Sequence, residues 1–329
     1  MTILVTGSAG HLGEGLVRTL SAAGKPVRGL DIKPSTFTDI IGSITDPAVV
    51  GEAMAGVDAV LHAATLHKPH VGTHVRQAFV DTNVTGTLTL LEAAVAAGVG
   101  AFVFTSTTST FGSALRPPPG APAAWVTEEV RPVPRNIYGV TKTAAEDLCE
   151  LFHRTRGLPA IVLRTARFFP EEDDDPARRA GLGDANIKAN EFLYRRADIQ
   201  DIVDAHLLAA ARAPALGFGR YIVSATTPFR REDLDRLNGD APAVLRARVP
   251  EFEAVYDRLG WRMFDAVDRV YVNDAARRDL GWRPAYDFAR VLRAVAAGED
   301  PRSPLARAVG AKGYHDAVFA DGPYPVEAD

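Results

Sequence analysis

Five short apolar runs, at residues 3–6, 27–31, 59–63, 101–105 and 160–164, constrain this chain's fold more than any other feature. None alternates strictly between apolar and polar residues, so strands built from them are covered on both faces. Between and after them lie segments with apolar residues at helical spacing, at 13–23, 46–55, 83–97, 136–156 and 198–212. Strands interleaved with helices imply right-handed crossovers, and the expected class is α/β with a doubly wound parallel sheet. After Arg167 the rhythm breaks into an acidic run, residues 171–175. Residues 220–224 read as a returning strand, and 226–269 as loops and short helices. The expected organisation is a sheet domain over 1–166 with returning segments at about 197–224 and 270–280. A smaller, discontinuous lobe then takes most of 167–329.

The first strand runs straight into Gly7, Gly10 and Gly13, and a helix follows. Strand, glycine turn, helix is the arrangement that aims helix-start N–H groups and the positive end of the helix dipole at an anion. Glycines let the backbone turn sharply and let a pyrophosphate approach. The net charge of −4 argues against a nucleic-acid or anionic-membrane partner, which would call for a basic stripe. Cys149 is the only cysteine, so no intramolecular disulfide forms, and its acidic neighbours disfavour a reactive thiolate. The most apolar region, 88–104, is interrupted by Glu92, Gly98 and Gly100 and does not read as a membrane span. The chain opens directly on a core strand, and a cytoplasmic protein is expected.

Three further features carry chemistry. Asp31 ends the second strand, where a carboxylate accepts from adenosine ribose hydroxyls and repels a 2′-phosphate, which favours NAD over NADP. Tyr138 and Lys142 lie four apart at a helix start, so they share one face. A tyrosine holds its proton to about pH 10, and a nearby ammonium favours the phenolate and makes it a usable base. The run from Thr105 to Thr110 supplies six hydroxyls just after a strand, one of which can hold a reacting alcohol.

Taken in order, these motifs resemble those of the extended short-chain dehydrogenase/reductase superfamily, in its NAD-dependent epimerase/dehydratase branch. The resemblance spans nearly the whole chain. It rests on the Thr6-to-Gly13 turn, Asp31, the stretch 56–64, Asn83 with Gly86 before Leu90 and Leu91, and Ser106-Thr107 ahead of Phe111-Gly112. Tyr138 with Lys142 and Glu146, Leu163-Arg164, the stretch 201–205 and Leu280-Gly281-Trp282 complete it.

The resemblance implies a Rossmann sheet, NAD as cofactor, and a role at each matching position. Gly7, Gly10, His11, Leu12 and Gly13 would seat the pyrophosphate, Ser43 and Ile44 would face the adenine, and Ala63, Ala64 and Thr65 would run over the cofactor. Asn83 would be a structural or nicotinamide-side group. Tyr138 would be the acid/base, Lys142 would lower its pKa and hold the nicotinamide ribose, and Thr107 would bind the substrate oxygen. Substrate contacts are expected from His67, Lys68, Thr108 and Arg167. Arg167 stands near where nucleotide-sugar members carry an asparagine. Thr107 is followed by Thr108-Ser109 and not by the Asp-Glu of dehydratases, which ranks dehydration low. The cluster His62, His67, His70 and His74 contains Lys68 and no cysteine, so no metal is expected there, and His62 reads as a core residue. Trp125 is a candidate lid residue.

The expected function is oxidation of a secondary alcohol on a sugar-like substrate. A sugar or nucleotide-sugar epimerase with a transient keto intermediate ranks first. An NAD-dependent dehydrogenase with net redox is the alternative, and a non-catalytic NAD sensor a minor one. A homodimer packed through 83–97 and 136–156 is also expected.

Overall fold

The computed structural model describes residues 1–118, 120–315, 319, 322, 324 and 325. Its centre is a seven-stranded parallel sheet formed by β1 (Ile3–Thr6), β2 (Val27–Asp31), β3 (Ile40–Ile41), β4 (Ala59–His62), β5 (Ala101–Thr107), β7 (Ala160–Thr165) and β8 (Phe218–Val223). The spatial order is β3-β2-β1-β4-β5-β7-β8. The chain first winds outward from β1, then returns to its other side as β4, with Thr6 level with His62. That reversal opens a crevice beyond the carboxyl ends of β1 and β4, the position where doubly wound sheets bind ligands.

Both faces of the sheet are covered, which is why the strands read as continuous apolar runs. One face packs Ile3, Val5, Leu61 and Val103 against Leu12, Leu16 and Leu20 of the helix His11–Ala22 and Ile202 and Val203 of the helix Ile199–Leu216. The other packs Leu4, Val60, Phe102 and Val162 against Val50, Leu90, Leu91, Ala145 and Cys149. Cys149 is buried, and burial pushes its thiol up, as expected of an inert cysteine.

A separate cluster, with Leu237, Leu245, Phe252, Tyr256, Phe288 and Leu292, forms beyond the sheet. A two-stranded parallel sheet, β6 (Ala124–Val126) with β9 (Arg269–Tyr271), lies beside it. Trp125 sits on β6 against that cluster, with the Arg231 guanidinium 5.6 Å from its ring centroid. The lid expected at Trp125 is therefore a packing residue.

The helix over 83–97 begins earlier than its apolar spacing suggests. It starts at Arg76, passes through a π-helical turn at Val80–Thr85 and continues as Gly86–Ala96. The widened turn carries Asn83 inward, as π turns often do near functional sites. Among the described residues, no helix is long and apolar enough to cross a membrane.

Candidate active site

The glycine turn is built by contacts that no other residue permits. Gly7 adopts φ +74°, and a Cβ there would lie 2.7 Å from the Ala64 nitrogen. At Gly13 a Cβ would fall 1.9 Å from the Gly7 carbonyl oxygen, so the helix can begin this close to β1 only with glycine. Its Gly10 N-cap makes no side-chain capping bond, which leaves the helix start open toward the crevice. Asp31 closes the turn from the second strand. One carboxylate oxygen accepts the Ala9 N–H at 3.0 Å and the other the Lys33 N–H at 2.9 Å. Each oxygen keeps a further acceptor position.

A cleft of about 1150 Å³ runs from this turn along the strand ends. Gly7, Gly10, His11, Leu12, Gly13, Asp31, Ser43, Ile44, Ala63, Ala64 and Thr65 all line it, so the structure brings these residues to one cleft, whereas Asn83 and Lys142, also expected at the cofactor, do not line it. The shape and donors fit a dinucleotide. The glycine cradle and open helix start would hold the pyrophosphate, and Asp31 the adenosine ribose.

The expected chemistry residues sit further along the same cleft. Thr107 ends β5 and pairs in register with Thr165 of β7. Its hydroxyl accepts the Ser109 N–H at 3.1 Å, and both Thr107 and Tyr138 line the cleft. Tyr138 stands in the first turn of the helix Ile137–Arg156, whose Asn136 cap accepts the Gly139 N–H at 3.0 Å. Burial pushes the Tyr138 hydroxyl up to about 12, against a smaller opposing effect of the Thr107 hydroxyl. Lys142 departs from expectation. Its ammonium is buried, 3.9 Å from the Phe104 ring centroid, and does not line the cleft or count among the influences on Tyr138. Burial pulls Lys142 down to about 7, opposed by the charge of Glu146.

That shift has a testable sign. A lysine whose folded pKa lies below its unfolded value destabilises the fold most at low pH, and the penalty is relieved as pH rises from the folded toward the unfolded value. Lys142→Met is therefore expected to raise stability more at about pH 6 than at about pH 10, measured by denaturant unfolding. An equal change at both pH values would contradict the buried position.

Asn83 is buried, and its side chain is fully engaged within the protein. Its carbonyl oxygen accepts from Thr65 Oγ1 and the Leu66 N–H, both at 2.9 Å, and its amide donates to the Leu66 oxygen and to Thr141 Oγ1 at 3.0 Å. It thereby ties the loop over the cleft to the Tyr138 helix. His62 bridges Thr6 Oγ1 at 2.7 Å and Thr87 Oγ1 at 3.0 Å and is buried, a core histidine as read from the sequence.

The expected substrate residues His67, Lys68, Thr108 and Arg167 line the cleft, but two are already engaged. Lys68 pairs with Asp174. Arg167 pairs with Asp173, with Asp174 at 2.8 Å and with Glu191 at 3.2 Å. Burial and neighbouring histidines hold the pKa of His67 well below the usual range, so its ring is neutral. Thr108 is buried at the start of a short 3-10 turn. The acidic run folds back onto the cleft, and does not face away as a solvated loop.

Several cleft residues were missed by sequence reasoning. Glu171 accepts from His11 Nε2 at 2.8 Å, from the Lys312 and Gly313 N–H groups at 3.1 Å and from the Tyr314 hydroxyl at 3.1 Å. Burial opposes its ionisation, but the hydrogen bond and charge of His11 hold its pKa at about 2. Lys312 also pairs with Glu14 at 2.5 Å. A segment near the carboxyl end of the chain thus lies against the glycine turn, and no local motif signals it.

Comparison with known proteins agrees with the geometry. The model of the "NAD dependent epimerase/dehydratase family" matches residues 3–221. A UDP-glucose 4-epimerase of Rhizobium meliloti (strain 1021) is 30% identical, over 89% of this chain and 95% of its own. A dTDP-glucose 4,6-dehydratase of Streptomyces antibioticus is also 30% identical, over 92% and 94%. Among solved structures, a short-chain dehydrogenase/reductase superfamily protein from Agrobacterium tumefaciens with bound NAD superposes with TM-score 0.63 at 26% identity, covering 94% of this chain and 99% of that one. With a glycine turn, an acid on the second strand and a Tyr–Thr pair on one cleft, the chain belongs to the NAD-dependent epimerase/dehydratase family and takes NAD as its cofactor.

Proposed function

We propose that the protein oxidises a secondary alcohol on a sugar-like substrate and, as its main activity, inverts that carbon through a transient ketone. The observation that carries the reading is the placing of Tyr138 and Thr107 together on the cleft that begins at the glycine turn. A hydroxyl pair of this kind binds an alcohol oxygen from one side and exchanges its proton from the other. NAD, when bound, supplies the hydride acceptor and a positive charge. Thr107 positions the substrate oxygen. Burial holds the resting Tyr138 as the phenol. The positive charge that bound NAD would bring favours the phenolate, which takes the hydroxyl proton in the forward half. The phenol so formed gives it back to the substrate oxygen in the reverse half. The cluster beyond the sheet, within 167–329, is the proposed substrate lobe.

The same residues serve net oxidation if the ketone leaves. The discriminating experiment incubates the purified protein with NAD and sugars, following reduced-nicotinamide absorbance and epimer composition together. Interconversion of epimers without accumulating NADH is expected. NADH released in step with substrate consumption would make the protein a dehydrogenase.

We further propose a cytoplasmic homodimer joined through the helices Gly86–Ala96 and Ile137–Arg156. Val140 and Leu151 support it: both are exposed, and at eleven residues apart they share one face of the second helix. Light scattering should give twice the chain mass, and a monomer would remove the proposal.

A further inference from the structure

Arg167 leaves β7 two residues after Thr165, which pairs in register with Thr107. A substrate held at Thr107 and Tyr138 therefore extends toward Arg167 and whatever surrounds it. If the substrate carried a phosphate ester or a diphosphate, this is where an uncommitted arginine would be needed, because a planar guanidinium grips phosphate oxygens two at a time.

Arg167 itself is not such a residue. One terminal nitrogen of Arg167 faces Asp173 and Glu191, and the other faces Asp174. Arg195 is taken by Glu191 at 2.7 Å and Asp173 at 3.4 Å. Lys68 is held by Asp174 and Lys312 by Glu14. Arg178 stands 3.5 Å from Asp175 with its guanidinium over the Phe264 ring, and Arg269 has its Nε 2.9 Å from Asp268. Of the partner carboxylates, Asp174 and Glu191 are held ionised by the cations beside them. Burial alone would raise Asp174, but the charges of Arg167 and Lys68 hold it far below its ordinary value. Asp173 is 3% exposed. A phosphate entering here would meet these anions at close range. Pulling Arg167 away from them would leave buried carboxylates unpaired, which is costly.

What the walls do offer is acceptor oxygen and aromatic surface. Asp173 Oδ1 accepts only the Asp175 N–H, at 2.8 Å, among the described bonds, and the exposed carboxylate of Glu172 also borders the cleft. Tyr271, Tyr314 and Tyr324 line the cleft as well. Carboxylates accept hydroxyl protons, and aromatic rings cover the C–H faces of a saturated ring.

We infer that the substrate end of this cleft takes an uncharged, polyhydroxylated ring, and that the Lys68–Asp174–Arg167–Asp173 cluster excludes substrates bearing phosphate. The inference rests on the alcohol-oxidation reading above and narrows its substrate to free sugars and cyclic polyols.

The test uses the full-length protein loaded with NAD. Calorimetric titration with UDP and with UDP-glucose should show no binding tighter than about 1 mM. Turnover should be found within a panel of free aldoses and inositols and be absent with UDP-hexoses. Asp174→Asn, which frees one side of Arg167, should strengthen UDP binding by about tenfold or more. Turnover of a UDP-hexose, or submillimolar UDP binding by the unsubstituted protein, overturns the inference. So does an Asp174→Asn protein that folds and gains no affinity for UDP, or a panel in which only phosphate-bearing sugars react. If no alcohol of either class reduces NAD or epimerises, the alcohol-oxidation reading itself fails, and the uncharged-ring assignment falls with it. The UDP titrations still report separately on whether the cluster excludes phosphate.

Discussion

With phenylalanine at position 138, kcat is expected to fall by about 10²–10⁴-fold, the range a positioned proton-transfer group contributes, while NAD binding persists. The substitution removes one oxygen and keeps the ring. Tyr138 is 8% exposed and packs at the start of a helix capped by Asn136, so the phenyl group keeps its place. Thr107 retains its bond from the Ser109 N–H and stays oriented. Only the proton path is lost. Steady-state turnover beside a titration of NAD binding separates the two effects. A variant within about tenfold of the unsubstituted rate would mean that the proton leaves by another route.

The second large effect is expected at Gly13. A methyl group there would need to share space with the Gly7 carbonyl, 1.9 Å from its oxygen and 2.6 Å from its carbon. Backbone atoms cannot swing aside as a side chain can, so the helix must move off the turn. Gly13→Ala is thus expected to weaken NAD binding by about 100-fold, close to 3 kcal/mol, and to cost about 1–3 kcal/mol of stability from overpacking. Gly15→Ala is the control on the same helix. Its Cβ would meet only the Val203 side chain at 3.3 Å and other side chains beyond. If both variants bind NAD alike, the turn does not seat the cofactor.

Much of the sheet is legible in the sequence because each strand is buried on both faces. β1 and β2 begin and end where their apolar runs do. β5 continues to Thr107, two residues beyond its run, since Ser106 and Thr107 stay in register with Arg164 and Thr165. The two-residue β3 and three-residue β6 and β9 are too short to show any periodicity. At the site, the glycine turn, Asp31, Thr107 and Tyr138 line one cleft, and their places at strand ends and a helix start follow from local sequence. The place of the acidic run does not. Its direction depends on pairings such as Lys68 with Asp174, separated by 106 residues, and a run of charges by itself looks like a solvated loop. Lys142 was misplaced for a related reason. Helical spacing puts it on the face of Tyr138, but spacing does not say that its ammonium turns to Phe104 and Glu146.

The pairing of Lys312 with Glu14 bears on how the protein is made. The two residues are 298 positions apart, so at about 5–20 residues per second the lysine is synthesised about 15–60 s after the glutamate. The sheet and its glycine turn can assemble on the ribosome well before then. During that interval the nascent domain has a cofactor groove still open along its His11 side, and NAD can settle in before the late segment docks across it.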